Sequence, residues 1–193
     1  MEHRRIAFIG AGSVAGYHAY ALNALRFYYD DSPHVELAYV TSSTPAARES
    51  FAARYGFREA IALDTLAKRT DFDSVYVLSP NARHFEHLSL AASLPNVARI
   101  YVEKPLCASQ DEERALAAYS AVARVQMGFQ FLQNSAVRQA CRLWHEGHFG
   151  TPVHFHARYL HSGYLDPEYR AHRATVPGSR KGSGRRPRRR NDS

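Results

Sequence analysis

Apolar residues in this chain fall into short, nearly unbroken runs, separated by longer stretches with polar residues at most positions. The runs are residues 6–9 (IAFI), 35–40 (VELAYV), 74–78 (SVYVL), 98–102 (ARIYV) and 125–129 (VQMGF). Such runs suit strands buried on both faces of a parallel sheet. Helices are predicted between and after them, over 13–29, 45–55, 64–69, 80–93, 109–123 and 135–146. Pro45 fits a first helical turn, and Gly56, Gly147 and Gly150 fit helix stops. Repeated βα units predict an α/β fold, with helices on both faces of a parallel sheet and ligands at the carboxyl ends of its strands.

The first unit carries chemistry. Residues 4–18 read RRIAFIGAGSVAGYH: a strand, a glycine turn and a helix start, with Ser13 as the expected N-cap. Gly10 permits a tight turn, Gly12 lets backbone approach a pyrophosphate, and Ala15 is the third small position, where helix packs on strand. The N–H groups at Ser13 and Val14 would face the anion, aided by about half a positive charge from the helix dipole. A turn that binds nothing can carry the same letters. The strand–turn–helix context favours a dinucleotide and the doubly wound Rossmann arrangement.

Two further segments stand at expected strand ends: LSPNARH, residues 78–84, and EKP, residues 103–105. With the glycine loop they resemble the Gfo/Idh/MocA family, the relatives of glucose–fructose oxidoreductase and inositol dehydrogenase. The matching positions are Gly10, Gly12, Ala15 and His18, then Ser79, Pro80, Asn81 and His84, then Glu103, Lys104 and Pro105. GFQFLQNSAVRQ (128–139) and HFGTPVHFHARY (148–159) look like the exit from the nucleotide domain and the first strand of a second one. The resemblance covers about 4–173. It implies an NAD(P)-dependent oxidoreductase acting on a sugar, inositol or similar small hydroxy or carbonyl compound. It makes Lys104 the general acid/base for the substrate hydroxyl, with Ser79, Pro80, Asn81 and His84 along the ribose and nicotinamide. Glu103 is a partner for Lys104 or for the ribose, and His84 reads almost as well as a buried structural histidine.

The strand at 35–40 is followed by TSSTPAAR, residues 41–48, with no acid to take the adenosine ribose hydroxyls. Ser42 and Ser43 leave room for a 2′-phosphate and Arg48 could pair with it, so NADP is preferred over NAD. Otherwise Arg48 belongs to a solvated helix face. His154 and His156, or His145 and His148, have ligand-like spacing, but no cysteine or carboxylate joins them and no metal is expected. Cys107 reads as a small structural residue. Tyr17, Tyr20, Phe27 and Tyr28 read as a core or interface face of the first helix.

Charge separates the end of the chain from the rest. Residues 177–193 hold seven of the 25 basic and one of the 18 acidic residues, hence +6 of the net +7. The body gives no charge argument for nucleic acid. No apolar run nears the roughly 20 residues that cross a bilayer, and no apolar stretch follows MEHRR as in a secretory signal. Two scattered cysteines, Cys107 and Cys141, suit reduced thiols in a cytoplasmic protein. The expected organisation is a nucleotide-binding domain over 1–122, a linking strand and helix over 123–150, the start of a truncated second α/β domain over 151–176, and a basic, disordered tail over 177–193. The family continues into an Asp-x-x-x-His pair that this chain lacks, so the tail reads as the product of a shifted or early-ended frame. A basic tail that binds nucleic acid is the alternative. Residues 152–161 are expected to form a strand whose unpaired edges promote self-association. The expected function is dinucleotide binding with little turnover. The rivals are a non-catalytic NAD(P)-binding regulator and a protein that meets nucleic acid through its tail.

Overall fold

A computed structural model describes residues 2–117 and 124–160, with Ser162, Leu165 and Pro167. Six parallel strands form one sheet: β1 (His3–Ile9), β2 (His34–Thr41), β3 (Glu59–Ile61), β4 (Ser74–Val77), β5 (Arg99–Val102) and β6 (Val125–Met127). Their order is β3-β2-β1-β4-β5-β6. The helices are α1 (Ser13–Tyr28), α2 (Pro45–Tyr55), α3 (Leu63–Leu66), α4 (His84–Ser93), α5 (Gln110–Ala117) and α6 (Ser135–His145). This is the expected doubly wound Rossmann arrangement. The order reverses between β1 and β4, where such sheets open a crevice at their carboxyl ends.

Strand alternation divides the core in two. Ile6 and Phe8 of β1 face Ala15 and Ala19 of α1 and Phe51 and Ala52 of α2. Ala7 and Ile9 face the opposite cluster, with Leu66, Leu88, Ala91 and Leu116 from α3, α4 and α5. A bulge keeps β2 in step with β1: Ile6 pairs with Leu37 and Ala7 with Tyr39, so Ala38 is the extra residue. Leu37 and Val40 then reach the α1 side, and Tyr39 reaches the other.

Local signals set several helix ends. Pro45 opens α2, and Gly56 closes it in the left-handed conformation at φ 78°. Ser109 and Glu112 form a capping box before α5. The Ser109 Oγ accepts the Glu112 N–H at 3.2 Å, and the Glu112 carboxylate accepts the Ser109 N–H at 3.2 Å. The Asn134 side chain accepts the Ala136 N–H at the start of α6. Segment 80–93, expected as one helix, begins instead as a 3-10 turn at Asn81–Arg83 before α4. β3 has only three residues, too few to show an apolar period, and no strand is predicted there. The boundary expected near residue 122 falls among 118–123, outside the described residues.

Residues up to Glu146 form one compact unit and those from Gly147 another. In the second, residues 152–160 form no strand, against expectation. Alternation marks a strand only where a neighbour supplies the ladder, and no such neighbour stands among the described residues. Val153 is 96% exposed and Leu160 86%. The basic tail lies outside the described residues, and so do the predictions made for it.

On the side of the sheet away from the crevice, the Tyr39 hydroxyl donates to Asp71 at 2.7 Å, and Arg58 donates to the Asp71 carboxylate and to the Tyr39 oxygen, both at 2.5 Å. The Tyr39 hydrogen bond holds the Asp71 carboxyl below its usual range against the opposing cost of burial, and the Arg58 guanidinium adds to the lowering. A carboxyl lowered on folding contributes stability above its unfolded pKa of about 3.9 and loses it as pH falls through the folded value. Tyr39→Phe should therefore cost about 0.5–1.5 kcal/mol at pH 7, the net worth of a hydrogen bond. The variant should also lose less further stability between pH 4 and pH 2 than the parent, read by denaturant melts across that range.

Candidate functional site: the carboxyl edge of the sheet

Four loops leave the sheet side by side, because the ladder continues one residue past each strand. Gly10 donates its N–H to Thr41 O at 3.0 Å and Leu78 to Ile9 O at 2.9 Å. Glu103 donates to Val77 O at 3.0 Å and Gly128 to Val102 O at 2.8 Å. The two glycines of the first loop then do different work. Gly10 sits at φ 123°, and a Cβ there would lie 2.6 Å from Leu78 O and 2.9 Å from Ser79 N. It lets the loop after β1 run against the loop after β4. Gly12 has an ordinary φ of −85°, and a Cβ there would meet nothing within 4 Å. The protein does not need its missing side chain; the space beside it is open.

Gly12, not Ser13, is the N-cap of α1, and no side chain caps the helix. This corrects the expectation for Ser13. The extended backbone of Gly12 has already ended the helix, so Ser13 is its first helical residue. Val14 is exposed and Ala15 fully buried. Gly16 matters as well and was not singled out in the sequence. A Cβ there would come 2.6 Å from the Tyr55 hydroxyl of α2. The adjacent small pair Ala15–Gly16 was the available signal for this close helix packing.

At the end of β2, Arg48 reaches back and donates from Nη1 to the Ser42 carbonyl at 3.2 Å. Its Nε is buried and has no hydrogen-bond partner among the described residues. The Ser42 hydroxyl accepts the Thr44 N–H at 3.4 Å, and Ser43 is exposed. These three residues are brought together beside the glycine loop, since Gly10 bonds to the residue before Ser42.

The loops after β4 and β5 meet through histidines. His84 is 1% exposed. Its Nε2 lies 2.8 Å from Ser79 O and its Nδ1 2.5 Å from Pro105 O. The ring is buried between the two loops, with one ring nitrogen at a backbone carbonyl of each. The Nδ1 of His87, one turn along, lies 2.8 Å from the Ser79 hydroxyl. Pro80 and Asn81 remain exposed. Glu103 is engaged from α1 and β5: its Oε1 accepts from His18 Nε2 at 3.0 Å and from the Tyr101 hydroxyl at 3.0 Å. A carboxylate only accepts, so His18 Nε2 carries the proton. The Glu103 Oε2 accepts the backbone N–H of Lys104 at 3.2 Å, while the Lys104 side chain is exposed. Among the described residues no ion pair joins the Lys104 ammonium to Glu103. Tyr101, which the sequence did not single out, stacks on Tyr76 at 5.0 Å, and burial and then Glu103 push its hydroxyl well above the usual tyrosine range. Gly128 packs against the Tyr101 hydroxyl and Glu103, a contact no sequence signal announces.

The pattern described as "Oxidoreductase family, NAD-binding Rossmann fold", that of GFO_IDH_MocA, matches residues 4–131. The chain belongs to the Gfo/Idh/MocA family. Several solved structures share its fold. A levoglucosan dehydrogenase in complex with NADH is 21% identical with a TM-score of 0.68, over 77% of this chain and 41% of that one. An NAD binding oxidoreductase from Klebsiella pneumoniae is 25% identical with a TM-score of 0.70, over 78% and 41%. A scyllo-inositol dehydrogenase from Lactobacillus casei, with NAD(H) and scyllo-inositol bound, is 22% identical with a TM-score of 0.64, over 77% and 43%. This chain thus spans about two fifths of the length of these structures. No curated protein matches it.

The residues fit the dinucleotide that a Gfo/Idh/MocA Rossmann domain implies. Open space beside Gly12, an uncapped helix start and the unpartnered Arg48 Nε all lie along one edge. Among the described residues, no group of three or more His, Cys, Asp or Glu could hold a metal ion, and no helix is long and apolar enough to cross a membrane. Cys107 is half-buried against the core, and burial, with the nearby Glu113 and Glu112, raises its thiol pKa.

Two measurements follow. Gly10→Ala should cost at least about 1–3 kcal/mol of stability from backbone strain alone, with the contact to Leu78 O added, read as a lowered melting temperature. Burial depresses the His87 pKa. A base lowered on folding contributes full stability above its unfolded pKa of about 6.5 and loses it as pH falls below that. Stability should therefore drop between pH 6.5 and pH 5, and His87→Gln should flatten that part of the profile.

Proposed function

We propose that this chain binds an NAD(P) dinucleotide along the carboxyl edge of β1, β2, β4 and β5. In this reading it supplies the nucleotide wall and the proton-transfer lysine of an oxidoreductase for a sugar, inositol or similar hydroxy or carbonyl compound. The observation that carries the reading is Gly12: of the two glycines in the loop after β1, it is the one where an added Cβ would meet no atom of the described residues within 4 Å, and it stands at an uncapped helix N-terminus. There the N–H groups of Ser13 and Val14 and the positive end of the α1 dipole would hold the pyrophosphate. Ser79, Pro80 and Asn81 border the path towards Lys104. The bound nicotinamide supplies the hydride acceptor or donor. An alcohol losing hydride also loses a proton, and Lys104, exposed at the end of β5, takes it. Relatives whose structures hold levoglucosan or scyllo-inositol support the substrate class.

Ser42, Ser43 and Arg48 favour NADP(H). No carboxylate stands at the end of β2 to repel a 2′-phosphate, and the Arg48 guanidinium is held beside Ser42. The described residues build one wall of the site. Misplacement of a substrate alone costs about a hundredfold, so these 193 residues by themselves should bind dinucleotide with little turnover.

Calorimetric titration tests this. Gly12→Val should melt as the parent does yet lose dinucleotide binding, because the added side chain meets only ligand. Lys104→Ala should bind within about twofold of the parent, as expected for a group that acts on substrate rather than holding the cofactor. Normal binding by Gly12→Val would remove the proposal. NADP(H) should bind more tightly than NAD(H), and Ser42→Asp should reverse the order by about tenfold, the worth of one charge-assisted contact. A parent that prefers NAD(H) would refute the 2′-phosphate reading alone.

A further inference from the structure

We propose that His84 is doubly protonated and, as an imidazolium, staples the loop after β4 to the loop after β5, which makes it a positioning residue for Lys104. The proposal rests on Lys104 being the proton-transfer group. Both ring nitrogens of His84 face backbone carbonyls, Ser79 O at 2.8 Å and Pro105 O at 2.5 Å. A carbonyl oxygen only accepts. A neutral imidazole has one N–H, so its other nitrogen would set a lone pair against a carbonyl lone pair at hydrogen-bond distance. The ring is 1% exposed, so bulk solvent does little to screen that repulsion. The imidazolium satisfies both contacts with charge-assisted bonds, which offset the cost of burying the charge.

The surroundings agree. The other charged or titratable groups on these segments are Arg83, Glu86 and His87 on α4 and its approach, and Glu103, Lys104 and Cys107 on the loop after β5. Burial disfavours His87 as a cation; Glu86 opposes this, and Arg83 and then His84 add to it, so the two rings do not compete for charge. Glu103 is already committed to His18 and Tyr101. Lys104 therefore stands between two anchored residues: His18 and Tyr101 hold the side chain of Glu103 before it, and His84 holds the carbonyl of Pro105 after it.

The test uses the whole chain with ring-labelled histidine and nuclear magnetic resonance at pH 7.5. The His84 ring is assigned through bonds from its own β-carbon, so no variant is needed. Protons on both ring nitrogens are expected, and a single protonated nitrogen overturns the proposal. A second readout is amide exchange at Lys104 in His84→Gln, whose side chain donates to one carbonyl and presents oxygen to the other. Exchange should quicken by about tenfold, as for a local opening made easier. Unchanged exchange in a folded variant would refute the positioning role. If the variant does not fold, the ring measurement on the parent still decides. Neither readout uses a dinucleotide, so a failure to bind one would overturn the proposed function and leave this result standing.

Discussion

The backbone of Gly10 runs so close to the Leu78 carbonyl that no other side chain fits, and the rest of the edge depends on that approach. β1 and β4 are far apart in sequence and are joined only where the strand order reverses. A crevice at such a point needs its two loops close at the base. The positive φ of Gly10 turns the first loop across the end of β4, and α1 then starts with its amide groups towards the gap. Every later feature takes its place relative to this crossing. The Ser42–Arg48 pair is set by the Gly10 bond to Thr41, the Ser79 loop by its passage over Gly10, and the Glu103 loop by its pairing with Val77.

A second layer of constraint comes from polar groups that reach across the loops. His18 descends from α1 to Glu103, His84 rises from α4 to two carbonyls, and His87 meets Ser79. Glu103 lies 85 residues from His18 and Pro105 21 residues from His84, whereas Ser79 lies only 5 and 8 residues before the two histidines that meet it, and all these bonds are at least partly buried. Hydrogen bonds in such places are worth more as restraints than as stabilisation, because the alternative is an unsatisfied buried group. They leave Lys104 exposed and its flanking residues fixed, which suits a group that must meet a substrate from solvent. The same logic explains why Glu103 does not pair with the Lys104 side chain: its carboxylate is already taken.

Much of this was legible along the chain. Apolar runs at βα spacing predicted five of the six strands and the parallel winding, since burial on both faces leaves an unmistakable absence of polar positions. Gly10 and Gly12 announced the loop, and the ordered motifs pointed to the family to which the chain belongs. Residues 152–160 show the limit of that reading. Their alternation matches a strand, but a strand is completed by a neighbour's backbone, and periodicity cannot say whether one is there. β3 failed to register for the opposite reason: it is three residues long and is defined by its pairing with β2 rather than by its own pattern.

The sequence by itself determined the order of elements, the two glycines and the residue types at the strand ends, because backbone conformation and solvent burial act over a few neighbouring positions. Only the tertiary structure decided which glycine is needed by the protein and which leaves space. It alone turned His84 inwards, gave Glu103 to His18 and Tyr101, and made Gly12 rather than Ser13 the cap. These depend on atoms brought together from positions as far as 85 residues apart, and side-chain direction across such a gap is fixed by packing geometry, which no local pattern encodes.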